Sequence, residues 1–181
     1  MENKITIHDK TFDEYISSEK IQNRIKELAA QIDQEYQSED IVMVGNLTGA
    51  FIILADLCRY LSSSVDVKFV KYTSYSGMET THVVEEKMGF DRINLTGKHV
   101  LIVEDIIDTG ITLDFLLQKI RTQDPLSVKV FSLLLKPDAV QKHNPIDYVG
   151  FEIPNDFVIG YGLDYDGMGR DLGSIYCLSS E

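Results

Sequence analysis

The stretch HVLIVEDIIDTGITLDFLLQKI, His99 to Ile120, decides the fold. Its first part is a run of Val, Leu and Ile that reads as a fully buried strand. The strand ends in two adjacent carboxylates, Glu104 and Asp105. A loop with Asp108, Thr109, Gly110 and Thr112 follows. Leu113, Leu116, Leu117 and Ile120 then recur at the spacing of one helical face.

The same alternation repeats on either side. Ile21, Ile25, Leu28 and Ile32 predict an amphipathic helix from about Ser18 to Tyr36, with Ser18 as its N-cap. IVMVG, Ile41 to Gly45, reads as a buried strand, and Phe51, Leu54, Ala55, Cys58 and Leu61 as the stripe of a second helix. In VDVKFVK, Val65, Val67 and Phe69 alternate with Asp66 and Lys68, which predicts a strand with those three on its buried face. VKVFSLLLK, Val128 to Lys136, is another buried strand. Strands alternating with helices predict an α/β chain with a parallel sheet wound on both faces. After Lys136 the texture turns to short strands, prolines and glycines, as in a small lobe over the sheet edge. Ligands of such sheets sit outside the carboxyl ends of the strands, which points to the loops after Gly45, Lys71 and Asp105.

At 181 residues, 44% hydrophobic and 25% charged, the chain suits one domain with a real core, not disorder or a coiled coil. Seventeen Lys and Arg against 29 Asp and Glu give a net charge of −12, which disfavours nucleic acid as a partner. Cys58 and Cys177 lack ligand-like spacing and read as inert thiols. The N-terminus has no signal-peptide character, and no apolar run approaches the roughly 18 residues that span a bilayer. A cytoplasmic location without membrane partners is expected. The histidines His8, His82, His99 and His143 lie apart and are assigned no catalytic role.

The loop after Asp105 has two readings. Free N–H groups at a helix start, beside small hydroxyl residues and a glycine, make a phosphate cradle. Carboxylates at the strand end would then suit a ribose diol or the water shell of Mg2+. Alternatively, Glu104 and Asp105 are solvated strand-end acids and the Thr/Gly loop is a capped turn.

VLIVEDIIDTG resembles the phosphoribosyl pyrophosphate (PRPP) signature of the type I phosphoribosyltransferases. LTGKHVLIVEDIIDTG, from Leu95, and YVGFEIPNDFVIGYGLDYDGMGRDL, from Tyr148, are similar to the 6-oxopurine branch of that family, the hypoxanthine-guanine phosphoribosyltransferases. The likeness runs from about Ile41 to the end. It implies the type I phosphoribosyltransferase fold in a single domain, 1–181. A parallel-sheet core of about 37–136 would be flanked by helices, under a small C-terminal hood lobe completed by N-terminal residues.

The resemblance also implies roles. Glu104 and Asp105 match the acids that hold the ribose hydroxyls, and Asp108 the general acid/base at purine N7. Asp108, Thr109, Gly110, Ile111 and Thr112 match the 5′-phosphate loop. Leu47, Thr48 and Gly49 match the pyrophosphate loop, with a cis peptide between Leu47 and Thr48, and Arg170 a further pyrophosphate contact. Many relatives carry Lys or Arg where this chain has Thr48, so the resemblance implies that a charged contact, to pyrophosphate or across a subunit interface, is missing here. Ser74 and Tyr75, in the lid-like stretch Thr73 to Thr81, match the pair that closes over PRPP. Lys136 matches the donor to the purine 6-oxygen, Phe157 the aromatic that stacks on the base, and Val158 its backbone partner. Asp164 matches a base-edge and second-metal residue, so Glu104, Asp105 and Asp164 are the expected Mg2+ ligands.

The expected activity is a glycosyltransferase reaction of purine salvage. It moves 5-phosphoribosyl from PRPP to hypoxanthine or guanine, with Mg2+, to give IMP or GMP and pyrophosphate. A homo-oligomer, dimer or tetramer, is implied, with the helix after Thr48 available as an interface. The alternatives are a xanthine- or hypoxanthine-preferring enzyme of the same family and a non-catalytic PRPP-fold nucleotide sensor. A receiver-like signalling domain would need an acidic pair after the first strand, and Gly45-Asn46 supplies none.

Overall fold

The apolar run beginning at His99 is an inner strand of a six-stranded sheet in the computed structural model, which describes residues 4–37, 39–75 and 83–179. In chain order the elements are β1 (Lys4–Ile7), β2 (Lys10–Ile16), α1 (Ser18–Tyr36), β3 (Ile41–Asn46), α2 (Phe51–Tyr60), β4 (Val65–Tyr75) and β5 (Val83–Met88). They continue with β6 (His99–Ile107), α3 (Ile111–Arg121), β7 (Ser127–Leu135), a short 3-10 turn (Pro137–Ala139), β8 (Tyr148–Glu152), β9 (Val158–Ile159) and β10 (Ile175–Leu178). The large sheet has the order β5-β4-β3-β6-β7-β8. Its strands are parallel except β5, which returns antiparallel along β4.

Alternation along β6 distributes the core between two layers. Leu101 and Val103 face α1 and α2, where they meet Ile25, Leu28, Met43, Leu57 and Phe131. Val100 and Ile102 face α3, where they meet Val44, Val70, Leu116 and Ile120. The sheet is thus wound on both faces, as the period-2 and period-3.6 patterns require. Leu116 is fully buried in the second layer. Leu116→Ala should therefore cost about 2–5 kcal/mol, read as a lower urea midpoint at unchanged slope. A loss well under about 1 kcal/mol would show that α3 is not packed as described.

Three local expectations differ from the structure. The N-cap of α1 is Ser17, not Ser18: Ser17 is extended and its hydroxyl accepts from the Lys20 N–H at 3.4 Å. The Ser18 N–H instead donates to the Ser174 hydroxyl at 3.0 Å, tying the helix start to the C-terminal segment. In β4, Phe69 is 37% exposed although Val65 and Val67 of the same face are partly buried. The buried side changes along the strand, because Val70 and Tyr72 pack under α3. Finally, β8 adds to the core sheet beside β7, beyond the expected limit near residue 136.

The second sheet, order β1-β2-β10-β9, joins the two ends of the chain in antiparallel pairing and closes on Phe12, Ile159 and Tyr176. Among the described residues no helix is long and apolar enough to cross a membrane.

Candidate functional site

At the carboxyl ends of β3 and β6 a cleft of about 190 Å³ is lined by Glu104, Asp105, Asp108, Thr109, Gly110 and Thr112, together with Asn46. Adjacent residues of a strand point to opposite faces. Glu104 accordingly turns toward the α3 side, beside Asn46, and Asp105 toward the loop before α2. The Asp105 carboxylate lies so close to Gly49 that a β-carbon there would stand 1.6 Å from it, so a larger residue at 49 would have to displace the Asp105 side chain. Asn46 is braced in turn. Its amide donates to the Tyr72 carbonyl at 3.2 Å and accepts from the Tyr72 N–H at 2.9 Å.

The two acids are poised differently from surface carboxylates. Burial pushes the Glu104 carboxyl well up, and the neighbouring Asp105 charge adds to this, against one hydrogen bond from Asn46. Its Oε1 has no hydrogen-bond partner. Asp105 is pushed up to about 6, chiefly by burial, opposed by the backbone N–H groups of Ile106 and Asp105 and by the Arg170 charge. With Glu104 buried and carrying an orphaned oxygen, and Asp105 half-buried beside it, the pair lacks a partner that a hydroxyl pair or a hard cation would supply. All-oxygen donors fit Mg2+ in particular, which takes one or two carboxylates and completes its shell with water and substrate oxygens. Among the described residues no three His, Cys, Asp or Glu side chains are grouped to hold a metal. Asp164 therefore does not join Glu104 and Asp105 in a ready three-carboxylate cage. It is occupied by Arg170 at 2.6 Å and by the Gly167 N–H at 2.8 Å.

The loop Asp108 to Gly110 leads into α3 with Gly110 as N-cap at φ +75°. Two N–H groups, from Gln141 at 2.9 Å and Lys142 at 3.1 Å, hold the Thr109 carbonyl. The Lys142 carbonyl stands where a side chain at 110 would begin, 2.6 Å from an ideal β-carbon. The first-turn N–H groups of the helix have no intrahelical acceptor one turn back, although the Ile111 N–H donates to the Thr109 hydroxyl at 3.4 Å, and they stand at the positive helix end, where an anion is favoured.

Lys136 leaves the end of β7 and is 8% exposed, with its ammonium 3.4 Å from Asp108. A buried cation has its partner on the phosphate loop itself. In the hood, Phe157 is 44% exposed, with Tyr165 and Phe12 against it at ring separations of 5.8 and 6.3 Å. Val158 is buried, paired with Cys177. Cys58 and Cys177 are free thiols.

The peptide Leu47–Thr48 is cis. Thr48 is exposed and Gly49 buried. Gly162 packs on the Gly49 carbonyl, where a β-carbon at 162 would stand 2.0 Å from the oxygen, and Arg170 donates to the Gly162 carbonyl at 2.7 Å. The structure thus brings Gly49, Asp105, Asp164 and Arg170 to one place. The backbones of Ser74 and Tyr75 end β4 opposite Val84 and Val83, and residues 76–82, which carry the rest of the lid-like stretch and His82, lie outside the described residues. Sequence reasoning missed Asn46, although it directly follows the buried run IVMVG.

The phosphoribosyl transferase domain model matches residues 12–166. A hypoxanthine phosphoribosyltransferase of Haemophilus influenzae is 43% identical over 90% of this chain and 93% of its own. A hypoxanthine-guanine phosphoribosyltransferase of Mycobacterium avium is 42% identical over 88% of this chain and 82% of its own. The crystal structure of a hypoxanthine-guanine phosphoribosyltransferase from Bacillus anthracis superposes with a TM-score of 0.85 at 38% identity, covering 93% of this chain and 97% of that one.

Proposed function

The chain belongs to the phosphoribosyltransferase family, and on that premise we propose that it transfers the 5-phosphoribosyl group of PRPP to N9 of hypoxanthine or guanine. The C1′–oxygen bond to pyrophosphate breaks, the C1′–N9 bond forms, and the products are IMP or GMP and pyrophosphate.

The observation that carries this reading is the juxtaposition, in one cleft, of the start of α3 with the carboxylates Glu104 and Asp105, beside the ion pair of the buried Lys136 with Asp108. Asp108 to Thr112 take the 5′-phosphate through backbone N–H groups and hydroxyls. Glu104 and Asp105 accept from the ribose hydroxyls. Glu104 and Asp105 would hold Mg2+, which when bound would supply positive charge to offset the departing pyrophosphate. Arg170, drawn from Asp164 to the pyrophosphate, adds a cation, which the uncharged Thr48 does not provide. Lys136 donates to the 6-oxygen of the base, and adenine, whose 6-amino group cannot accept, is refused. Phe157 stacks on the purine, and Asp108 takes the N7 proton. The ribosyl centre carries positive charge in the transition state, so positioning and fixed charge, rather than covalent chemistry, lower the barrier. Ser74 and Tyr75 close over PRPP to exclude water.

An ultraviolet assay with PRPP and hypoxanthine, guanine, xanthine or adenine, with and without Mg2+, tests the reading. Nucleotide should form from hypoxanthine and guanine, depend on the metal and be absent with adenine. Binding of PRPP or GMP without any turnover would overturn it in favour of a nucleotide sensor.

A further inference from the structure

Asp56 of α2 is 7% exposed, a charged residue well inside the protein and outside the cleft. Its carboxylate accepts from the Tyr161 hydroxyl, from the Gln22 amide of α1 at 2.7 Å and from the Arg59 guanidinium. Gln22 also donates to the Tyr161 oxygen at 3.1 Å and accepts from the Tyr60 hydroxyl at 2.7 Å. Burial works to raise the Asp56 carboxyl, but these hydrogen bonds outweigh it and hold it below its ordinary value. A satisfied buried network of this kind rigidifies what it joins.

What it joins are the two loops at the pyrophosphate side. Helix α2 begins two residues after Gly49. Tyr161 immediately precedes Gly162, the residue seated on the Gly49 carbonyl. The Gly162 N–H donates to the Arg170 carbonyl at 2.9 Å and its carbonyl accepts from Arg170 at 2.7 Å, so the position of Gly162 sets that of Arg170 and, through the 2.6 Å ion pair, of Asp164. Tyr161 itself has φ +49°, a left-handed conformation that costs a side-chain-bearing residue roughly 1–2 kcal/mol. A cluster serving helix packing alone would have no need of a tyrosine in that conformation.

We propose that Asp56 and Tyr161 are positioning residues for PRPP: their buried bond locks the loop 160–170 onto the loop 47–49, so that Gly49 and Arg170 meet one pyrophosphate. The proposal rests on the reading of these loops as the pyrophosphate subsite. Without the lock, the ligand has to order the two loops itself, and that cost falls on PRPP and not on the base.

Steady-state kinetics of Tyr161→Phe, Asp56→Asn and the double variant test this, with thermal midpoints measured in parallel. KM for PRPP should rise about tenfold or more in each single variant, with kcat and KM for the base within about twofold. The double variant should be little worse than either single one, since both break the same bond. Gln22→Leu, which keeps the Asp56–Tyr161 bond, should give a smaller rise of the same kind and serves if the others do not fold. An unchanged KM for PRPP, an equal rise for both substrates, or a loss confined to kcat would overturn the proposal. Calorimetric titration with magnesium pyrophosphate separates the two ideas. If the wild type makes no nucleotide the enzymatic reading fails, yet weaker pyrophosphate binding by Tyr161→Phe would still uphold the lock and equal binding would overturn it.

Discussion

Asp105→Asn should melt higher than the unaltered chain at neutral pH in the presence of a chelator, by roughly 5–10 °C, while kcat/KM for PRPP falls about a hundredfold or more. The reason is the cost of keeping this acid ionised. Its carboxyl goes from 3.8 in the unfolded chain to about 6 in the fold, chiefly through burial, and that difference is on the order of 3 kcal/mol once the group is charged. The sign follows from proton counting. Between pH 3.8 and about 6 the folded chain holds the proton more often than the unfolded one, so stability present below this window is lost as pH rises through it. Glu104, also pushed upward, acts in the same direction. Melting curves from pH 4.5 to 8 should therefore fall across the window for the native protein and flatten for Asp105→Asn. A variant no more stable at pH 7.5 would show that the acid pair stores no such cost. Adding Mg2+ and PRPP should reverse the ranking, because on the proposed function both bind the folded native chain and stabilise it.

The destabilised acid pair was half legible in the chain. VLIVED shows a buried strand closing on two carboxylates, since a run of branched apolar residues has few alternatives, and the Leu113–Ile120 stripe fixes the helix that follows. That two consecutive residues face opposite ways is also implicit in the strand period. The partners each would meet, Asn46 and Gly49, come from another strand's end and could not be read locally. The same holds for the small sheet: nothing within KTFDEYI announces that it pairs with IYCL, more than 150 residues later. The Asp56–Tyr161 bond spans 105 residues and was invisible for that reason. Phe69 misled because alternation tells which residues share a face, not which part of that face another element covers. By contrast, the roles given to Lys136 and Asp108 came from resemblance, and the structure adds that the two side chains meet.

That meeting sets the other large expected effect. Asp108→Asn keeps size and hydrogen-bonding capacity but cannot take a proton, so kcat should fall about 10²–10³-fold with KM for PRPP changed only a few-fold. The carboxylate has a second duty, as the partner of an ammonium that is 90% buried by side-chain area, and the neutral amide leaves that charge less compensated. Lys136→Met separates the two duties. It removes the buried cation, and with it the donor proposed for the 6-oxygen, while Asp108 keeps its acid. The expected loss is then in kcat/KM for hypoxanthine, about 10- to 150-fold for one charge-assisted hydrogen bond, with the preference over adenine narrowed by the same factor. PRPP binding by Lys136→Met, followed by calorimetry, should stay within a few-fold. If Asp108→Asn keeps most of its kcat, proton transfer at the base does not run through Asp108. If Lys136→Met refuses adenine as strictly as before, the discrimination must lie in the hood.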